Sequence, residues 1–223
     1  MIQRITDINS YMKLTTMRLD RIRNSSIQRI TSREELIEFQ YLTNKSIGVR
    51  FPIEFLENAN VFAVFNRKDV MCGGFALVNA QFSRVVDSLP EDAKEKLEAK
   101  FPNYINDTFE ITALWLCRSQ RSKSLCFRLW TRLYFETVRM GRANFIYAYS
   151  SEKVNLGKMY SLIKPTRIFK GYTNILPGMK EADHEVVEVG SVKAASMAWV
   201  TQFPTLLKKF TKSRCSKKRE VYH

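Results

Sequence analysis

Residues 108–150 read TFEITALWLCRSQRSKSLCFRLWTRLYFETVRMGRANFIYAYS. Thr108 to Cys117 is the most strand-like run of the chain, dense in β-branched and aromatic side chains. A short basic loop follows. From Lys123 to Met140 the residues Leu125, Leu129, Leu133, Thr137 and Met140 fall on one helical face, and Gly141 is placed to close that helix. Ala143 to Ser150 returns to strand. Strand, helix and strand in this order call for a right-handed crossover between neighbouring parallel strands.

The flanks extend the same pattern. Ser26 to Thr31 suits a short strand, and Ser32-Arg33-Glu34-Glu35 is a capping box opening a helix to about Asn44. Asn60 to Asn66 and Val70 to Val78, joined by Arg67-Lys68-Asp69, read as a hairpin. Gly73-Gly74 interrupts its second strand and marks either a bulge or a close backbone approach. Pro90 to Phe101 is a charged helix, and Val154 to Ile163 another, stopped before Pro165. Arg167 to Thr173 and Glu185 to Val192 finish as strands, and Ala194 to Phe210 is an apolar-then-basic segment broken at Pro204. The fold class expected is α/β, with a mixed, mostly antiparallel central sheet of six to seven strands and helices on both faces. Residues 1–25 read as an N-terminal arm or helix, 26–193 as the folded domain, and 194–223 as a basic amphipathic tail.

Composition narrows the function. Of 223 residues 45% are hydrophobic, enough for an ordinary core. The formal net charge is +14, and half of that excess sits between Lys208 and Arg219, where no acid intervenes. Such a surface attracts polyanions: a cofactor phosphate, an acidic protein, an anionic lipid or nucleic acid. The four cysteines, Cys72, Cys117, Cys126 and Cys215, form no CxxC pair, and the chain has two histidines, so no metal site is expected. Cysteine usage reads as cytoplasmic. No stretch approaches membrane-span length. Met197-Ala-Trp-Val, with Phe203, Leu206 and Leu207 before Lys208-Lys209, reads as a helix peripheral to a membrane or, equally, as a dimer contact.

The chemistry concentrates where the first strand of the 108–150 run meets its helix. Unpaired N–H groups and the positive dipole end of a helix starting at Lys123 suit an anion such as a pyrophosphate. Ser122 or Ser124 caps it, and the small residues Ser124 and Cys126 allow close backbone approach. A plain cap with a solvated cluster of Arg118, Arg121 and Lys123 is the alternative reading.

This segment resembles the acyl-CoA motif of the GNAT acyltransferase superfamily, Arg/Gln-x-x-Gly-x-Gly/Ala, through Arg121, Ser124 and Cys126, neither small position being glycine. Asn155-Leu-Gly157-Lys-Met-Tyr160 is similar to the family's later helix, whose Tyr protonates the departing thiolate. The resemblance covers about residues 26–192. Within it, Phe101-Pro102 and Glu110-x-Thr112 are similar to the autoinducer-synthase and N-acyl amino acid synthase branch, although Phe109 replaces that branch's Trp and Ala113 its Arg. Homoserine lactone synthesis is thereby put in doubt, and N-acylation of another amine is left open.

The resemblance implies a GNAT-like fold with a splayed parallel pair mid-sheet. It implies an N-acyltransferase moving an acyl group, long-chain favoured, from acyl carrier protein or CoA to the amine of an amino acid or other small amine. Acyl-CoA or acyl-phosphopantetheine would be a co-substrate, with no permanently bound cofactor. Glu110 is the candidate base and Tyr160 the candidate acid. Leu116, Cys117, Arg118, Arg121, Ser122, Lys123, Ser124, Leu125, Cys126 and Asn155 are the candidate cofactor-binding residues. Phe75, Leu77, Phe82, Leu114, Leu116, Phe145 and Tyr147 either line an acyl channel or form ordinary core. The rival reading is an inactive GNAT-like module that binds a protein, membrane or, less favoured, nucleic-acid partner. The third is a protein or small-molecule acetyltransferase.

Overall fold

A computed structural model describes the main chain of residues 25–211, and the side chains of that span other than those of Asn155 and 202–211. The arm expected over 1–25, Ser25 apart, lies outside the described residues, as does the tail beyond Thr211. The elements are β1 (Ser26–Ile30), α1 (Arg33–Ile47), α2 (Ile53–Glu57), β2 (Asn60–Phe65), β3 (Met71–Asn79), α3 (Arg84–Asp87), α4 (Glu91–Lys100), α5 (Tyr104–Asp107), β4 (Thr108–Leu116), α6 (Lys123–Arg139), β5 (Asn144–Ser150), α7 (Val154–Tyr160), β6 (Thr166–Tyr172), β7 (His184–Ser191) and α8 (Val192–Thr211). The strands form a seven-stranded sheet in the order β1-β2-β3-β4-β5-β7-β6. β4 and β5 are parallel, while β1–β2, β5–β7 and β6–β7 are antiparallel. The mixed, mostly antiparallel α/β sheet read from the sequence is therefore present.

The described chain divides into two compact units, one holding residues up to Ala76 with Ala113–Arg121, the other Leu77–Thr112 with the residues from Ser122 on. In the first unit the capping box is realised: Ser32 Oγ accepts the N–H of Glu35 at 3.2 Å, and Gly48, at φ 83°, closes α1. Helices α1 and α2 place Leu36, Phe39 and Leu56 against Val61, Ala63 and Trp115. Gly73-Gly74 marks close approach: a Cβ on Gly74 would strike the Phe62 carbonyl oxygen and lie 2.6 Å from the Phe39 ring. Ala113 is buried and sits at φ 51°, a left-handed conformation that interrupts the pleat of β4.

In the second unit helices cover both faces of the strands. Val85 and Val86 of α3, Leu89, and Ala93 and Leu97 of α4 pack on Ile146, Ile168, Val187 and Val189. The opposite face carries α6, α7 and the start of α8, through Phe145, Tyr147 and Tyr149. The parallel register of β4 and β5 runs over Thr108↔Asn144, Phe109↔Phe145 and Glu110↔Ile146.

Two departures from the sequence reading lie at prolines. The helix expected to reach Ile163 ends at Tyr160 and tightens into a 3₁₀ turn over Ser161–Ile163, closed by Lys164 at φ 50°. The residue before a proline is disfavoured in helical conformation, and Pro165 follows directly. The expected break at Pro204 is absent, since α8 continues through it to Thr211. An internal proline forfeits one i→i−4 hydrogen bond and bends a helix without having to end it. No helix among the described residues is long and apolar enough to cross a membrane.

Candidate functional site

α6 begins as its sequence requires. Ser122, extended at ψ 151°, caps it by accepting the N–H of Leu125 at 3.1 Å, and the N–H of Cys126 makes the first helical bond to the Ser122 carbonyl at 2.9 Å. The N–H groups of Lys123 and Ser124 have no hydrogen-bond partner among the described residues, and Ser122, Lys123 and Ser124 are exposed. They present the positive end of a 17-residue helix to solvent, an arrangement that accepts an anion. Leu125 is instead core, with its N–H already taken.

The remaining loop candidates belong to the first unit. Leu116 is buried, Arg118 is exposed, and the Arg121 Nε–H donates to the Leu116 carbonyl at 3.3 Å. Cys117 lies 3.2 Å from the Ser119 hydroxyl, and that contact, with the Ser119 N–H, holds its thiol below the usual range. Its neighbour Cys72, whose carbonyl accepts the Cys117 N–H at 2.8 Å, is pushed up to about 11 by burial. Asn155 lies in α7, and its side chain is outside the described set.

The inner face of α6 opens onto a chamber of about 360 Å³. Cys126, Trp130, Leu133 and Thr137 of α6 line it, with Phe145 and Tyr147 of β5, Tyr160 of α7, and Ala195, Ala198 and Trp199 of α8. Trp199 closes one wall by stacking on Tyr134, with centroids 4.9 Å apart and planes at 10°. Of the apolar residues weighed for an acyl channel, Phe145 and Tyr147 line this chamber, whereas Phe75 stacks on Phe62 in the core of the first unit.

Tyr160 sits where the chamber wall is most aromatic, 4.4 Å from Tyr147, 5.4 Å from Tyr149 and 6.3 Å from Trp130 between centroids. Burial raises its phenol, and the charges of Tyr149 and Glu188 push the same way. Glu188 of β7 was missed by the sequence reading. It is buried and accepts the hydroxyls of Tyr147 at 3.1 Å and Tyr149 at 3.4 Å, while Arg167 reaches its other oxygen at 3.4 Å. The signal was available: Glu185 and Glu188 interrupt an otherwise apolar strand, and a carboxylate in a strand covered on both faces needs partners.

Glu110 faces the other side of the strands from Ile111, which lines the chamber. It is 0% exposed, and Oε2 accepts the Ser83 hydroxyl at 2.7 Å and the Val85 N–H at 3.0 Å. Burial pushes this carboxyl up, against the pull of those two donors, of the Thr112 side chain and of the nearby Arg84 charge.

No protein-family model matches the chain, and no curated protein is similar in sequence. Its architecture is nonetheless shared with solved structures. FeeM, an N-acyl amino acid synthase from uncultured soil microbes, superposes with a TM-score of 0.57 at 14% identity, covering 81% of this chain and 98% of that one. NAA60 of Arabidopsis thaliana, solved with acetyl-CoA, gives 0.53 at 12% identity over 76% and 99%. The ribosomal-protein-S18-alanine N-acetyltransferase of Escherichia coli gives 0.51 at 9% over 75% and 94%. The fold is that of the GNAT superfamily.

Proposed function

We propose that this protein is an N-acyltransferase that moves an acyl group, long-chain in preference to acetyl, from a thioester of CoA or acyl carrier protein to the amine of an amino acid or other small amine. The observation that carries this reading is the chamber. It is apolar, walled by aromatic side chains, and borders the first turns of α6 through Cys126 and Phe127. A phosphate held at the N–H groups of Lys123 and Ser124 would therefore lie within a turn or two of a cavity suited to an alkyl chain.

Within this reading the two candidate residues take opposite roles. As the amine nitrogen attacks the carbonyl carbon and the carbon–sulfur bond breaks, negative charge moves to sulfur. Tyr160, kept protonated by burial, donates a hydrogen bond to that sulfur and yields its proton as the bond parts. Glu110 takes a proton from the attacking nitrogen through a bridging water. General catalysis of this kind contributes about 10²–10⁴-fold.

The test is a donor and acceptor matrix. Acyl-CoA and acyl carrier protein donors from acetyl to hexadecanoyl are incubated with a panel of amines, and thiol release and acylated product are followed by mass spectrometry. Transfer that rises with chain length supports the reading. Thiol release from no donor refutes it and leaves the inactive binding module.

A further inference from the structure

Two cysteines of the first unit face each other across neighbouring strands. β3 and β4 lie side by side in the sheet. The N–H of Cys117, one residue past the end of β4, donates to the Cys72 carbonyl at 2.8 Å, and a Cβ on Gly73 would lie 3.3 Å from the Leu116 Cα. One residue forward from Cys72 is thus matched by one residue back from Cys117, so the strands run antiparallel here with Cys72 directly opposite Cys117. Directly opposed residues send their side chains to the same face. The next pair on that face is Gly74 and Trp115, since side chains alternate. Both meet Phe39 of α1: a Cβ on Gly74 would lie 2.6 Å from its ring, and the Trp115 ring centroid is 6.1 Å away. Cys72 and Cys117 therefore both point to the α1 side.

The spacing suits a covalent bridge. Opposed residues of a hydrogen-bonded antiparallel pair have Cα atoms about 5.5 Å apart, inside the about 4.4–6.8 Å that a disulfide spans. The two thiols differ in their surroundings. Cys72 is buried, at 4% exposed, whereas Cys117 is partly exposed. The Ser119 hydroxyl and N–H hold the Cys117 thiol low, and the Gln120 N–H and the Lys45 charge of α1 act the same way. Burial, and after it the charge of Cys117, keep Cys72 protonated. Cys117 is thus the thiol that meets solvent as a thiolate, and Cys72 stands behind it.

We propose that Cys72 and Cys117 form an oxidation site: hydrogen peroxide oxidises Cys117, and Cys72 then closes a cross-strand disulfide. In the first step the Cys117 thiolate sulfur bonds to one peroxide oxygen and the O–O bond breaks. The sulfur becomes a sulfenic acid, and the other oxygen leaves as hydroxide and is protonated to water. In the second step the Cys72 sulfur attacks the Cys117 sulfur. The S–S bond forms as the S–O bond breaks, and the departing hydroxide takes the proton shed by Cys72 and leaves as water. Two thiols lose two electrons and the peroxide gains them. The bridge draws Cys117 away from Ser119, so the modification acts on the loop that carries Arg118 and Arg121. This inference stands apart from the acyltransferase reading.

The experiment reads covalent products and needs no turnover. Reduced full-length protein is treated with an equimolar amount of hydrogen peroxide, remaining thiols are blocked with iodoacetamide, and a non-reducing tryptic digest is mapped by mass spectrometry. The chain is expected to lose two of its four thiols. The expected product joins the Cys72 peptide to the Cys117 peptide, leaves Cys126 and Cys215 alkylated, and is undone by dithiothreitol. Two variants read the order of steps. Cys72→Ser should stop at a Cys117 sulfenic acid that dimedone traps, and Cys117→Ser should leave Cys72 reduced. A bridge joining any other pair, Cys117 carried to the sulfinic acid in the wild type with no bridge formed, or Cys72 oxidised in Cys117→Ser overturns the proposal. The wild-type map decides even where a variant fails to fold.

Discussion

At the residue scale two side chains carry opposite demands on their protons. In the proposed role Tyr160 must stay protonated, and burial beside Tyr147, Tyr149 and Trp130 pushes its phenol up, in that direction. Tyr160→Phe keeps the ring packing and removes the hydroxyl. We expect it to lower kcat about 10²-fold with acyl-thioester affinity and melting temperature nearly unchanged, as read by steady-state kinetics, calorimetry and thermal unfolding. A loss of donor affinity equal to the loss of rate would mean that the phenol only binds the donor. Glu185 has the reverse problem. A carboxyl raised, chiefly by burial, to about 7 in the folded chain holds its proton more tightly than in the unfolded chain, so the native state is favoured below the unfolded value, and that advantage is lost as pH rises through about 7. Glu185→Gln mimics the protonated form. Chemical unfolding at pH 5 and pH 8 should therefore show the variant close to wild type at low pH and more stable, by about 1 kcal/mol or more, at high pH. The opposite sign would place Glu185 in a favourable ion pair instead.

At the element scale the sequence was legible wherever pattern alone sets structure. Ser32 and Ser122 were readable as caps because a hydroxyl ahead of a helical run has one obvious use, and both accept the expected N–H. The face of α6 was readable because its leucines recur with helical period, and Leu125, Leu129 and Leu133 are buried. What stayed hidden depended on which elements meet. Trp199 lies far along the chain from α6, in a segment read as tail, yet it stacks on Tyr134 and Phe127. Glu188 and Glu185 sit three residues apart, so alternation puts them on opposite faces, but the tyrosines and arginine that Glu188 meets come from other strands and are not visible locally. The cap and small residues at the start of α6 suggested a candidate place for phosphate, but the chamber draws on β4, α6, β5, α7 and α8 and could not be located from any one of them. Trp199 offers the direct probe. Trp199→Ala removes a half-buried wall and is expected to cost about 2 kcal/mol in thermal unfolding. It should also shift the preferred acyl donor toward bulkier chains, because the chamber gains volume at its α8 side. A lowered melting temperature with an unaltered chain-length profile would make that wall purely structural.

At the scale of the whole molecule, architecture and chemistry carry separate information. A TM-score of 0.57 at 14% identity shows that the fold persists where few residues do, and a fold hosts chemistry without specifying it. Charge is a property of the chain that can discriminate between the two proposed donors. With 36 Lys and Arg against 22 Asp and Glu, an acidic carrier, if it is the donor, would be attracted over a broad surface, whereas CoA would present its phosphates at one point. Salt shortens the screening length from about 8 Å at 0.15 M to about 3 Å at 1 M, which weakens dispersed exposed contacts more than a few close ones. If acyl carrier protein is the donor, its KM should rise about tenfold between 0.05 and 0.5 M sodium chloride, while the KM for the matching acyl-CoA changes about twofold. A chain ending at Thr211, which sheds Lys212, Arg214, Lys217, Lys218 and Arg219, should show a shallower salt dependence with the carrier donor and little change with CoA. Parallel salt responses for both donors, in both chains, would mean that the basic surplus takes no part in donor capture and that α6 alone meets the phosphate.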